Sequence, residues 1–123
     1  MNYTYLLGKS MNDIVQSYFI KKQNKKKEIH MIGGNGIIDI NKSFTIDEIK
    51  KHNTPNDAWI LLKIKDVYCV YDVTKWISEH PGGPEVLISH LGMDATENFE
   101  TIGHPNIVYE TLLPKFFIGF LKK

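Results

Sequence analysis

Asp72-Val-Thr-Lys-Trp-Ile-Ser-Glu-His80-Pro-Gly-Gly-Pro-Glu-Val-Leu87 packs a helical turn, a histidine, a Pro-Gly-Gly break and a new helix start into sixteen residues. Asp72 or Thr74 can cap a short helix that contains Trp76 and Ile77. Trp76 stands four residues before His80, so on a helix the two share a face. Gly82 and Gly83 predict a turn, because glycine takes backbone angles other residues avoid and lets the chain pass close to a flat ligand. Pro84 suits the first position of a helix running to about Leu91, which Gly92 ends.

Downstream, Asp94-Ala-Thr-Glu97 predicts a capping box opening a helix that Gly103 ends. His104 follows that glycine and precedes Pro105, which disfavours helical angles at His104 and so fixes where its side chain points. Pro105 opens a further helix, Pro114 closes it, and Phe116 to Leu121 reads as a last strand. Upstream, Thr45-Ile-Asp-Glu48 is a capping box for a helix to about Lys51. Trp59-Ile-Leu-Leu62 and Val67-Tyr-Cys-Val-Tyr71 read as strands joined by a turn around Asp66. Many short helices over a small mixed sheet predict an α+β fold, the helices forming a cleft.

His80 and His104 lie 24 residues apart, each at a helix-to-turn junction. Two short helices between them can form two walls of a cleft, with a histidine facing inward from each side. Val86, Leu87 and Leu91 face one way on the first helix, and Phe99 and Ile102 on the second. Leu112 and Phe116 close the floor. Imidazole is the usual nitrogen donor to a bound metal or haem, and an apolar slot suits a flat ligand. The same pattern also suits two histidines with only a packing role. Zinc would want about four ligands, and no cysteine pair or His-x3-His is present to complete such a set.

The rest of the 123-residue chain narrows the reading. A net charge of +1 gives no global argument for nucleic acid. Residues 1–40 hold six lysines against three carboxylates, and residues 41–123 nine lysines against eleven. The lone cysteine, Cys69, makes neither an intrachain disulfide nor the CxxCH attachment of a c-type haem. No glycine-rich nucleotide fingerprint follows a strand, so a flavin or nicotinamide would sit on a partner.

The motif of residues 72–87 and Asp94-Ala-Thr-Glu-Asn-Phe-Glu-Thr-Ile-Gly-His104 resemble the haem motifs of the cytochrome b5 family. Phe44 to Trp59 resembles that family's opening helix and first strand, and Phe117-Ile-Gly-Phe-Leu121 its closing strand. The likeness covers about residues 43–121, and the His80–His104 spacing is the family's own. It implies a non-covalent b-type haem with iron between His80 and His104, in a pocket of Trp76, Val86, Leu87, Phe99, Ile102, Leu112 and Phe116. With both axial positions filled by protein, the implied function is single-electron carriage, not enzyme catalysis. The implied partners are an NAD(P)H-dependent flavin reductase of the cytochrome b5 reductase type and an acceptor haem protein or oxidase/desaturase. Between Glu79 and Glu110 stand six carboxylates and no lysine, and Glu79, Glu85, Asp94, Glu97 and Glu100 are expected to form an acidic docking rim. The alternatives are a non-redox haem- or ligand-binding module, such as the steroid-binding branch that departs from this axial pair, and a domain that keeps the fold without haem.

Three features depart from the family pattern. The Trp59–Tyr71 hairpin is about four residues longer, which lengthens both strands without flipping their faces. Pro105 replaces a serine that in many members hydrogen-bonds a haem propionate. One extra residue separates His104 from the last strand. His30, His52 and His90 read as bland, His90 alone standing on a helix that can face the pocket.

The chain divides near residue 41 into an N-terminal extension (1–40) and the haem-binding domain (41–123). In the extension, Met11, Ile14, Val15, Tyr18 and Phe19 form a helical stripe, followed by a lysine-rich linker and a flexible turn at Gly33-Gly-Asn-Gly36. This helix either packs on the domain as an appendage or lies on an anionic membrane surface. No apolar run is long enough to cross a bilayer, and a cytoplasmic location is expected.

Overall fold

A computed structural model describes residues 3–7, 10–23, 28–33, 36–81 and 83–122. The lysine-rich stretch 24–27 and residues 34, 35 and 82 lie outside the described residues.

Among the described residues eight strands form two sheets. The larger takes β4 (Ser43–Phe44), β8 (Phe117–Leu121), β7 (Val67–Asp72), β6 (Asp57–Ile64) and β5 (Asn53–Thr54) in that spatial order, with β4 parallel to β8 and the rest antiparallel. The β6–β7 hairpin is paired out to Ile64 and Val67 around a two-residue turn. Lys65 and Asp66 both take positive φ there, as the twist of a tight hairpin demands. The longer hairpin keeps its faces. Ile60, Leu62 and Ile64 join the main core, while Leu61 points the other way to Ile49 and Val70.

Helix α2 (Ile46–Lys50) opens with the expected capping box, in which Thr45 Oγ1 accepts from Glu48 N and the Glu48 carboxylate accepts from Thr45 N. His52, expected to be a bland surface residue, stacks on Trp59 at 3.5 Å and pairs through Nδ1 with Asp57 at 2.6 Å. It therefore roofs the smaller core. Gly119 allows β4 to lie close against β8. A Cβ there would stand 2.7 Å from the Lys42 carbonyl and 2.7 Å from the Phe44 ring. Gly119→Val is expected to cost about 1–3 kcal/mol through overpacking, read as a lower urea midpoint. An unchanged midpoint would show that β4 moves aside freely.

Three local expectations are corrected. Helix α4 (Thr96–Ile102) has no capping box. Asp94 instead accepts from both the amide and hydroxyl of Thr96 in an Asx turn, and Thr96 Oγ1 accepts from Lys63 N of the lengthened hairpin. Regular helix α3 covers only Glu85–Ile88, with Pro84 at its N-cap, and turns carry the chain to Gly92 at φ +72°. Pro114 does not close its helix. A π-helical segment, Val108–Leu112, leads directly into α5 (Leu113–Phe116), so the chain stays helical through Pro114, and the irregular turns just before it accommodate a residue that lacks an N–H. A π-turn widens a helix by one residue.

The N-terminal segment is more structured than its sequence suggests. Strands β1 (Tyr3–Leu7) and β2 (Glu28–Gly33) pair in parallel across helix α1 (Met11–Gln23), and β3 (Gly36–Ile38) returns antiparallel to β2. His30 falls in β2. Ser10 and Asp13 cap α1 reciprocally, Asp13 N donating to Ser10 Oγ and Ser10 N to the Asp13 carboxylate. Met11, Ile14 and Val15 are buried at 0%, 0% and 2% exposure in the cluster that holds Ile64, Val67, Cys69 and Phe120. Among the described residues no helix is long and apolar enough to cross a membrane.

Candidate haem site

His80 closes the one-turn 3-10 helix Ile77–Glu79 and takes extended angles, φ −64° and ψ 121°, as the following Pro81 requires. Its carbonyl accepts from Gly83 N at 2.9 Å, and its ring Nδ1 lies 3.0 Å from the Gly83 carbonyl. Gly83 reaches that position at φ +91°. A carbonyl oxygen only accepts, so Nδ1 carries the hydrogen and Nε2 presents a lone pair. The Trp76 ring stands edge-on to His80 at 6.3 Å.

His104 is set by the same means from the other side. Gly103 at φ +74° ends α4 and turns the chain back. His104 Nδ1 then donates to the Phe99 carbonyl at 3.1 Å, and its ring stacks on Phe99 at 4.0 Å with 10° between planes. Tyr109 backs Phe99 edge-on at 5.6 Å. Burial and the Glu100 charge raise the pKa of its phenol. Both imidazoles are therefore held in one tautomer by a backbone carbonyl, with Nε2 free. This is the arrangement that orients an imidazole ligand and raises its basicity.

Both histidines line one cavity of about 380 Å³. All seven side chains expected for the pocket, Trp76, Val86, Leu87, Phe99, Ile102, Leu112 and Phe116, line it too. Sequence reasoning missed Ile60 and Leu62 of β6, Val73 just after β7, Ala95 at the N-cap of α4, and Asn98, Val108 and Leu113 from the helices. Residues 58–62 of β6 are a continuous apolar run, so no alternation marks Ile60 and Leu62 as facing the cavity. His90 also lines the cavity. Ile102 lies at the mouth, 56% exposed. Glu79, Glu85, Asp94, Glu97 and Glu100 are all exposed on the elements that form the walls.

Cys69 is fully buried away from this cavity, its sulfur facing the Val67 carbonyl, and burial pushes its thiol up to about 12. It offers no attachment to a ligand in the cleft. No three His, Cys, Asp or Glu side chains converge into a metal-ion set among the described residues, which leaves the zinc alternative without a donor set there.

An α+β domain with an apolar slot between two oriented imidazoles has the form of a haem-binding domain. The comparisons make the class specific. Residues 45–122 match the model of the family described as Cytochrome b5-like Heme/Steroid binding domain. The chain belongs to this family, and its cofactor is non-covalent haem b with iron. It is 49% identical over 80 residues to cytochrome b5 of Drosophila melanogaster, covering 65% of this chain and 56% of that protein. With cytochrome b5 of Oryctolagus cuniculus it shares 50% over 80 residues, again 65% of this chain and 56% of the relative. The chain thus spans a little over half the length of these relatives. The solved cytochrome b5 of Ostreococcus tauri virus 2 is 42% identical with a TM-score of 0.55, covering 64% of this chain and 83% of that one. The cytochrome b558 of Ectothiorhodospira vacuolata, a prokaryotic homologue of cytochrome b5, is 28% identical with a TM-score of 0.58, covering 65% and 98%. The fold expectation, α+β with helices framing a haem cleft, holds.

The residues present suit haem b. The walls are apolar, the two facing imidazoles offer lone pairs, and no thiol reaches the cleft.

Proposed function

We propose that the chain is a bis-histidine b-type cytochrome that carries single electrons between a reductase and an acceptor enzyme. The observation that supports this most is the paired orientation of His80 and His104, each tied at Nδ1 to a carbonyl and facing one cleft. Two protein ligands leave no open coordination position for oxygen or substrate, so the iron's contribution is to gain and lose one electron. The protein's contribution is to keep the ligands fixed and the pocket dry, so that little rearranges on transfer. Residues 41–123 are the haem-binding unit in this reading, and 1–40 an extension whose helix α1 completes the core. The chain is a redox partner, not an enzyme. Its donor is an NAD(P)H-dependent flavin reductase of the cytochrome b5 reductase type, and its acceptor a haem protein or an oxidase or desaturase.

The test is a visible spectrum of the haem-loaded protein, taken oxidised and after reduction by such a reductase. A six-coordinate low-spin spectrum that cycles supports the carrier. Haem binding without reduction by the reductase would turn the reading to a non-redox binding module.

Docking through Glu79, Glu85, Asp94, Glu97 and Glu100 gives a second expectation. Exposed charges separated by more than a Debye length are screened, and that length shrinks from about 30 Å at 0.01 M salt to about 3 Å at 1 M. Electron transfer with a basic partner is therefore expected to slow by roughly tenfold or more across that range. A salt-independent rate in stopped-flow mixing would remove the acidic rim from the mechanism.

A further inference from the structure

Phe99 is a partition between two cavities. It lines the haem cleft of about 380 Å³. It also lines a second cavity of about 450 Å³, between the start of α1 and the tip of the lengthened hairpin. A wall side chain with space beyond it keeps its place only if its neighbours hold it. Among the described residues, the rings against Phe99 are those of His104 and Tyr109. His104 stacks on it at 4.0 Å with 10° between planes, and Tyr109 meets it at 5.6 Å and 82°. In the π-helical segment Val108 and Leu112 line the cleft, whereas Tyr109 lines the second cavity instead. Tyr109 therefore reaches the site through the Phe99 ring.

Two constraints are needed to fix the ring of His104. The hydrogen bond from Nδ1 to the Phe99 carbonyl, at 3.1 Å, fixes the tautomer and the place of one ring atom. It leaves the imidazole free to tilt about that contact. The parallel stack on the Phe99 ring removes this freedom, since a ring tilted out of the stack loses contact area. The plane of His104 is thus only as fixed as the plane of Phe99, and Tyr109 backs Phe99 on the side of the second cavity.

We propose that Tyr109 is a positioning residue for the axial ligand His104: its ring holds the Phe99 ring in place, and the Phe99 ring sets the plane of the imidazole. This rests on the haem reading of the cleft. The ring of Tyr109, not its hydroxyl, makes the contact with Phe99. Outer partners that orient an imidazole tune the iron it binds. The plane of an axial imidazole decides how its π-orbitals overlap the iron d-orbitals, so a change of plane is read in the electron paramagnetic resonance g values of ferric low-spin haem.

The test uses the full chain loaded with haem b and measures two things: the g values of the ferric form, and haem dissociation into excess apomyoglobin. Tyr109→Leu and Tyr109→Met remove the ring, and Tyr109→Phe keeps it. An edge-on aromatic pair is strong enough that the first two should release haem roughly two- to tenfold faster than wild type, with shifted g values. Tyr109→Phe should keep the wild-type g values and release haem within about twofold of wild type. Wild-type g values in both Tyr109→Leu and Tyr109→Met would overturn the proposal, even with faster release, which would assign Tyr109 to packing alone. An equal shift in Tyr109→Phe would also overturn it, since the hydroxyl would then be the working group. A wild type without a low-spin signal would instead strike the axial reading, so the two failures are separable.

Discussion

Replacing His104 with alanine should convert the haem-loaded protein from a six-coordinate low-spin to a five-coordinate spectrum, and His80→Ala should do the same. Each imidazole is expected to supply one of the two axial bonds. Each is also held by a backbone carbonyl, at 3.0 Å for His80 and 3.1 Å for His104, so its ring orientation is fixed before any ligand arrives. Loss of an outer partner of a ligand costs about 10–100-fold in affinity, and loss of the ligand itself should exceed that. His104→Ala should be the worse of the two for packing. Its ring covers one face of Phe99 at 4.0 Å, and removal uncovers that face to the cavity. Added imidazole should restore the six-coordinate spectrum in either variant by entering the vacated space. A variant that keeps the wild-type spectrum would show that its histidine does not bind iron.

Half of the eighteen residues that line the cavity were legible because their determinants are local. Proline after each histidine and glycine beside it restrict the backbone within a few residues, and that restriction places the rings. The seven expected pocket side chains followed from helical spacing, which is also local, and they line the one cavity. What escaped notice depends on groups distant in sequence or on accommodation without a motif. Thr96 Oγ1 accepts from Lys63 N, a partner 33 residues away. The helical run continues through Pro114 by way of a π-helical segment, for which Val108–Leu112 carries no distinctive composition. The β1–β2 pairing is parallel and needs α1 as its crossover, so neither strand announces the other.

Substituting Ile14 should decide what helix α1 is for. The stripe of Met11, Ile14 and Val15 can be buried in the domain or in lipid, but not in both at once. In the structure Ile14 is 0% exposed and shares a core with Ile64 and Val67 at the far end of the lengthened hairpin. The Tyr18 ring meets Phe120 of β8 at 4.9 Å, and Lys21 reaches Asn41 at the start of the domain. The helix therefore covers hairpin surface that would otherwise face water. Ile14→Ala should cost about 2–5 kcal/mol through the cavity it leaves. Ile14→Lys should cost at least as much, since it asks the same space to take an unpaired charge. At roughly 3–5 °C per kcal/mol for a chain of this size, the unfolding midpoint should fall by about 10 °C or more. Binding to vesicles of anionic phospholipid should be the same for Ile14→Lys and wild type. The opposite pair of results, an unchanged midpoint with weaker vesicle binding, would mean that α1 leaves the core to lie on the membrane surface.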